Sequence, residues 1–84
     1  MLIKPKRIPR SPGIYIFHKG TAPLYVGKAA NLRQRLASYF SRAGGRTPKI
    51  ERMLKEATRL EIVRTASEIE ALIKEAELIK KYRP

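Results

Sequence analysis

No cysteine occurs anywhere in this 84-residue sequence, so its fold must be held without disulfides or a thiolate zinc site. At this length the chain is expected to form a single domain, 1–84, and folding hides only somewhat over ~60% of the surface an unfolded chain of this size exposes. Apolar secondary structure has to supply the whole core, which makes local patterning decisive.

The pattern is clearly punctuated. Residues 1–12 are basic and carry prolines, and read as an extended lead-in. Residues 13–19, GIYIFHK, are rich in β-branched and aromatic types and lie between Pro12 and Gly20, which predicts a strand. After the turn signal Gly20–Thr21–Ala22–Pro23, the run Leu24–Tyr25–Val26 predicts a second strand in an antiparallel hairpin, with Gly27 ending it. Leu32, Leu36 and Phe40 then recur every four residues, predicting a helix from about Ala30 to Arg42. A flexible basic loop, Ala43–Gly44–Gly45–Arg46, follows. Thr47–Pro48 reads as an N-cap with proline at the first helical position, opening a helix whose apolar side is Ile50, Met53, Leu54 and Ala57. Leu60 to Thr65 is a third short strand. Ser67 with Glu70 three residues on forms a capping box, and Ile69, Leu72, Ile73, Ala76 and Ile79 are the expected buried face of the last helix. The order β-β-α-α-β-α predicts an α+β fold, a small three-stranded antiparallel sheet flanked by helices.

Charge narrows the function. Nineteen Lys+Arg against seven Asp+Glu give a formal net charge of +12, a field suited to a polyanion such as DNA. No segment approaches the ~20 apolar residues needed to span a bilayer, and the first residues lack the apolar stretch of a signal peptide. A cytoplasmic location with no membrane partner is therefore expected. Charge alone does not separate a nuclease from a passive binder.

A few residues stand off the core pattern. Lys28, Asn31, Arg35 and Tyr39 are spaced by three or four and form a donor-rich stripe beside the first helix's apolar side, which can grip a phosphate or simply be solvated. On the last helix, Glu70, Lys74, Glu77 and Lys81 make an ordinary solvated arc. Glu75 does not join it, because its direction falls between Ala71 and Leu78 on one side and Leu72 and Ile79 on the other. A carboxylate among apolar neighbours needs a metal ion, an arginine or exposure at the helix rim to offset its desolvation. Tyr15 and Tyr25 occupy the two hairpin strands, where tyrosine packs well, and matter chemically only if both phenols face the donor stripe. Gly27 would let the backbone come close to a neighbour. His18 has no partner at metal-ligand spacing and reads as a surface residue.

Gly13–Ile14–Tyr15 followed by Tyr25–Val26–Gly27 resembles the paired signature of the GIY-YIG nuclease superfamily, with valine in place of the usual isoleucine in the second triplet. SPGIYIF (11–17), LYVGKAANLRQRLASYF (24–40) and EAELIKKYRP (75–84) are similar to the N-terminal catalytic domain of the excinuclease ABC nuclease, which cuts DNA in bacterial nucleotide excision repair. The resemblance implies a metal-dependent DNA endonuclease that leaves a 3′-hydroxyl and a 5′-phosphate. It implies that Glu75 is the one acidic ligand of a single Mg²⁺ or Mn²⁺ ion and that Arg35 is the catalytic arginine. Lys28 and Tyr39 match supporting positions. Tyr15 and Tyr25 are the signature phenols, one of which helps activate water; Tyr25, three residues from Lys28, is the expected one. With the basic charge, the expected DNA contacts are Lys28, Asn31, Arg33, Arg35, Arg42 and Arg46. In the family the YRP stretch continues to a tyrosine and a site-building asparagine, whereas this sequence stops at Pro84, and Glu77 stands where the excinuclease usually has asparagine. Implied partners are DNA and the damage-recognition proteins of the excinuclease, the latter through regions outside this chain. The alternative reading is a non-catalytic DNA-binding module with the same fold.

Overall fold

Between Pro12 and Gly20 the chain forms β1 (Gly13–Lys19), the middle strand of a three-stranded antiparallel sheet in the order β2-β1-β3. The computed structural model describes Leu2, residues 5–41 and residues 47–83. The other elements are β2 (Ala22–Ala29), α1 (Leu32–Phe40), α2 (Pro48–Glu56), β3 (Arg59–Arg64) and α3 (Glu68–Tyr82). The element order is the one expected from the sequence.

Strand alternation sends β1 side chains to two different layers. Tyr15 and Phe17 pack with Leu32, Leu36 and Tyr39 of α1 and Met53 of α2. Ile14 and Ile16 face the other way, against Val26 and Ala71 of α3. Tyr15, Phe17, Ile14, Ile16, Leu32 and Leu36 are the largest fully buried side chains. Each aliphatic or Phe side chain buried this way contributes roughly 1.5–3 kcal/mol.

The described part of the lead-in is docked along the fold. Ile8 is buried, and the first two amides of α1, Leu32 and Arg33, donate to the carbonyls of Ser11 and Pro9 at 3.0 and 3.1 Å. Asn31 caps the same helix, its Oδ1 accepting from the Gln34 N–H at 3.1 Å. Three otherwise unpaired amides are thereby satisfied, and α1 starts at Leu32 rather than at Ala30. It ends at Phe40, where Ser41 turns extended. The predicted end at Arg42 and the loop Ala43–Arg46 lie outside the described residues. The caps at Thr47 and Ser67 form as predicted, each side chain accepting from the amide three residues on.

Three expectations are overturned. Gly27 does not end the second strand, which continues through it to Ala29; in the β1–β2 register Gly27 lies opposite Tyr15. The reason is packing, since a Cβ on Gly27 would fall on the Tyr15 ring. His18 is not a surface residue. It sits on the central strand, is only 5% exposed, and its Nε2 lies 2.9 Å from Glu61 Oε1 on β3. The expected buried face of α3 points outward: Ile69 is 72% and Ile73 is 55% exposed, and Leu72 and Ile79 are exposed as well. The helix meets the sheet through Ala71, Glu75 and Leu78 instead, because the small Ala71 lets it settle closely against Ile14, Ile16 and Val26. No helix among the described residues is long and apolar enough to cross a membrane.

Candidate active site

β1 and α1 bring Tyr15, Arg35 and Tyr39 together. The Tyr15 and Tyr39 hydroxyls are hydrogen-bonded at 2.8 Å, and Arg35 Nε donates to Tyr15 Oη at 3.3 Å. The Arg35 guanidinium carbon lies 5.8 Å from the centre of the Tyr39 ring. Tyr25 joins from β2, its ring stacked on Tyr15 at 6.4 Å and set at 66° to Tyr39 at 6.3 Å. Both signature phenols therefore belong to one aromatic cluster with Arg35.

The cluster fixes two protonation states. The hydrogen bond to Tyr15, then the electrostatic pull of the same phenol, raises the Arg35 pKa further, so the guanidinium stays charged. Burial, followed by hydrogen bonding to Tyr15 and Tyr25, drives the Tyr39 phenol well above the ordinary tyrosine value. Tyr39 is consequently a neutral hydrogen-bonding group and is poorly suited to act as a base.

Two hollows flank this cluster. The first, of about 500 Å³, is lined by Lys28, Asn31, Gln34, Arg35 and Ser38 with Ala29 and Ala30. Two cations, Lys28 and Arg35, and the donors of Asn31, Gln34 and Ser38 line it beside the two alanines, a set suited to a phosphate. Lys28 reaches it from the end of β2, not from the helical stripe inferred from sequence. The second hollow, of about 390 Å³, is lined by Leu24, Tyr25, Val26, Lys49, Glu75 and Ile79. Tyr25 thus borders both the arginine cluster and the Glu75 hollow.

Glu75 is half-buried, and no ion pair to it exists among the described residues. An arginine partner, one of the three ways to offset its desolvation, is thereby removed for those residues. The described residues hold no group of three His, Asp or Glu side chains that could cage a metal. One carboxylate beside a phenol in an open hollow still fits a hard cation of the Mg²⁺ type. Such ions commonly take one or two carboxylates and complete their shell with water and substrate phosphate oxygens.

Of the remaining expected contacts, Asn31 lines the first hollow while also capping α1. Arg33 points elsewhere: its Nε donates to the Ile8 carbonyl at 2.8 Å, and it lines a separate hollow with Pro5, Lys6, Ile8 and Ala37. Arg42 and Arg46 lie outside the described residues. Sequence reasoning missed Gln34 and Ser38, which extend the Asn31–Arg35 stripe at helical spacing, and that spacing was a usable signal. It also missed Lys49, whose proximity to Glu75 is purely tertiary.

Known proteins share the sequence pattern and the fold. The UvrC-like GIY-YIG domain model matches residues 11–84. The UvrABC system protein C of Deinococcus radiodurans is 48% identical over 77 residues, covering 92% of this chain, and that of Thermus thermophilus is 47% identical with the same coverage. The chain spans only 12% of the length of these two relatives. Among solved structures, the GIY-YIG N-terminal endonuclease domain of UvrC from Thermotoga maritima, bound to its catalytic magnesium, matches with a TM-score of 0.83 at 47% identity. That match covers 90% of this chain and 82% of the other. Tyr-to-Phe and Asn-to-Ala variants of the same domain, also bound to the catalytic divalent cation, match equally well in fold.

Proposed function

Because the chain belongs to the UvrC-like GIY-YIG family, we propose that it is a divalent-metal-dependent DNA endonuclease domain making the 3′ incision of nucleotide excision repair. The observation that carries this reading is the position of Glu75, a half-buried carboxylate facing a hollow that it shares with a signature tyrosine. The Thermotoga maritima domain holds magnesium, and its phenylalanine variants still hold the divalent cation, so in that protein the phenol hydroxyls tested are dispensable for metal retention. This supports a carboxylate, Glu75, as the anchor here.

A bound Mg²⁺ or Mn²⁺ supplies a Lewis acid for a phosphoryl oxygen. The protein's own residues do the rest. Arg35, oriented by Tyr15 and permanently charged, neutralises negative charge developing on the phosphate. Lys28, Asn31 and Gln34 grip the backbone in the same hollow. Tyr15 and Tyr39 hold the arginine's position through their shared hydrogen bond. Tyr25, the signature phenol that reaches the Glu75 hollow, accepts a hydrogen bond from the attacking water and sets its line of approach. Positioning that water is the role assigned to Tyr25. The +12 charge recruits DNA through phosphate contacts with little base preference. Damage-recognition proteins of the UvrABC system are the expected loading partners.

The test is cleavage of lesion-bearing or nicked duplex with Mn²⁺, comparing wild type with Glu75→Ala, alongside calorimetric Mn²⁺ binding. Loss of at least ~10²-fold in rate, together with lost metal binding, is expected. Equal cutting by the two proteins would overturn the assignment. DNA binding that persists in EDTA, with no cleavage in Mn²⁺, would favour a non-catalytic binding module.

A further inference from the structure

We propose that Lys49 is a second phosphate-binding point, holding a backbone phosphate next to the scissile one on the Glu75 side of Tyr25; this rests on the nuclease reading above. Lys49 is the second residue of α2, and the Thr47 cap and Pro48 fix the start of that helix. Its side chain is exposed and lines the hollow shared by Tyr25 and Glu75. Although the two share this hollow, Lys49 makes no ion pair with Glu75, so its ammonium remains available to another anion.

The strand layout indicates which anion. β2 is an edge strand, and the two hollows follow one another along it, one at Leu24–Val26 and the other at Lys28–Ala30. Tyr25 and Ala29 are four residues apart, roughly 13 Å at strand spacing. That distance exceeds one step between adjacent phosphates of a DNA strand, so the two hollows together can hold more than one phosphate, the scissile one between Arg35 and an ion on Glu75 and a neighbour at Lys49. Arg35 and Lys28 take one phosphate, and Lys49 takes another. The apolar walls from Leu24, Val26 and Ile79 lower the local dielectric and strengthen such a contact. Lys49 and a metal ion on Glu75 carry like charges in one hollow. Lys49 therefore cannot help to hold the ion in the absence of DNA, and it acts only on bound DNA.

The experiment uses the full chain and compares wild type, Lys49→Ala, Lys49→Arg, Glu75→Ala and Lys55→Ala, the last an exposed lysine on the final turn of the same helix. In EDTA, the slope of log binding constant against log salt for a DNA duplex should become shallower by about one unit in Lys49→Ala. Lys49→Arg should keep it, and Lys55→Ala should change it by less than half as much. With Mn²⁺, Lys49→Ala should raise KM about three- to tenfold and leave kcat within about twofold, since a flanking phosphate is held equally in ground and transition states. Mn²⁺ affinity of the DNA-free protein should be unchanged or tighter in Lys49→Ala, whereas Glu75→Ala loses it. An unchanged salt slope, a slope equally reduced by Lys55→Ala, a loss confined to kcat, or weakened Mn²⁺ binding in Lys49→Ala would each overturn the proposal. The nuclease reading fails separately, if wild type does not cut or Glu75→Ala cuts as well; the EDTA titration still decides on Lys49 in that event.

Discussion

Replacing Gly27 by alanine adds one methyl group, and the structure says where it lands. Gly27 is opposite Tyr15 in the β1–β2 register, and a Cβ there would overlap the Cζ, Oη and Cε2 atoms of that ring. The ring has nowhere to retreat: Tyr15 is 1% exposed, bonded to Tyr39 at 2.8 Å and to Arg35 at 3.3 Å. Overpacking a tight core costs about 1–3 kcal/mol. Pulling the phenol from Tyr39 leaves a buried hydroxyl unpaired, adding ~1–3 kcal/mol. Against these, alanine gains ~0.5–1 kcal/mol over glycine by restricting the unfolded chain. The net is a loss of about 1–5 kcal/mol. At ~4–8 °C per kcal/mol for a domain this small, Tm falls by roughly 4–40 °C.

Urea unfolding followed by circular dichroism gives the free energy, and a second background isolates its cause. With Tyr15→Leu already in place the ring is gone, and the new methyl enters the space it left. Gly27→Ala should then cost little, and the double-mutant cycle should show a coupling above ~1 kcal/mol. Additivity within ~0.5 kcal/mol, or a cost below ~0.5 kcal/mol for Gly27→Ala alone, would refute the claim that the signature glycine exists to seat the signature tyrosine.

Two further outcomes follow from the same coordinates. Tyr39 has a folded pKa above its unfolded value of ~10, so the folded state keeps a proton that the unfolded state gives up in alkali. That stabilisation is complete below about pH 10 and is lost as pH climbs from there towards the folded value, so Tyr39→Phe should flatten the alkaline decline in urea unfolding; an unchanged decline would count against it. On α3, Ile73→Gln should shift stability by no more than ~0.5 kcal/mol, while Ala71→Leu, at a position 1% exposed, should cost about 1–3 kcal/mol; the reverse order in thermal melts would restore the face expected from sequence.

Local chemistry was legible where it is decided locally. The caps at Thr47 and Ser67, the three strands and the element order follow from turn residues and periodicity that neighbouring residues enforce. Non-local choices were not legible. His18 reads as polar and turn-adjacent, but its burial comes from lying on the middle strand, and its bond to Glu61 depends on pairing with a strand over forty residues later in the chain. Gly27 reads as a strand breaker, and becomes a strand residue because the Tyr15 ring across the ladder needs the space.

The last helix shows why a site can be read correctly from a face that is read wrongly. A helical wheel fixes directions relative to one another, not which of them points inward. Ala71, Glu75 and Leu78 share one stripe, Leu72 and Ile79 flank it on the Glu75 side, and Ile69 and Ile73 lie on the far side, whichever way the helix is turned. Counting apolar residues put the larger set inside and left Glu75 as an acid trapped at its margin. The sheet offers α3 a line of close contact, and the small Ala71 wins it, so the helix is turned with its larger aliphatic residues outward and Glu75 towards the β2 edge. The same turn that exposes the isoleucines is therefore what presents the carboxylate to Tyr25. Glu75 was detectable as off-pattern under either orientation. Lys49 was not, because it comes from a different helix and meets Glu75 only once both helices are docked on the sheet.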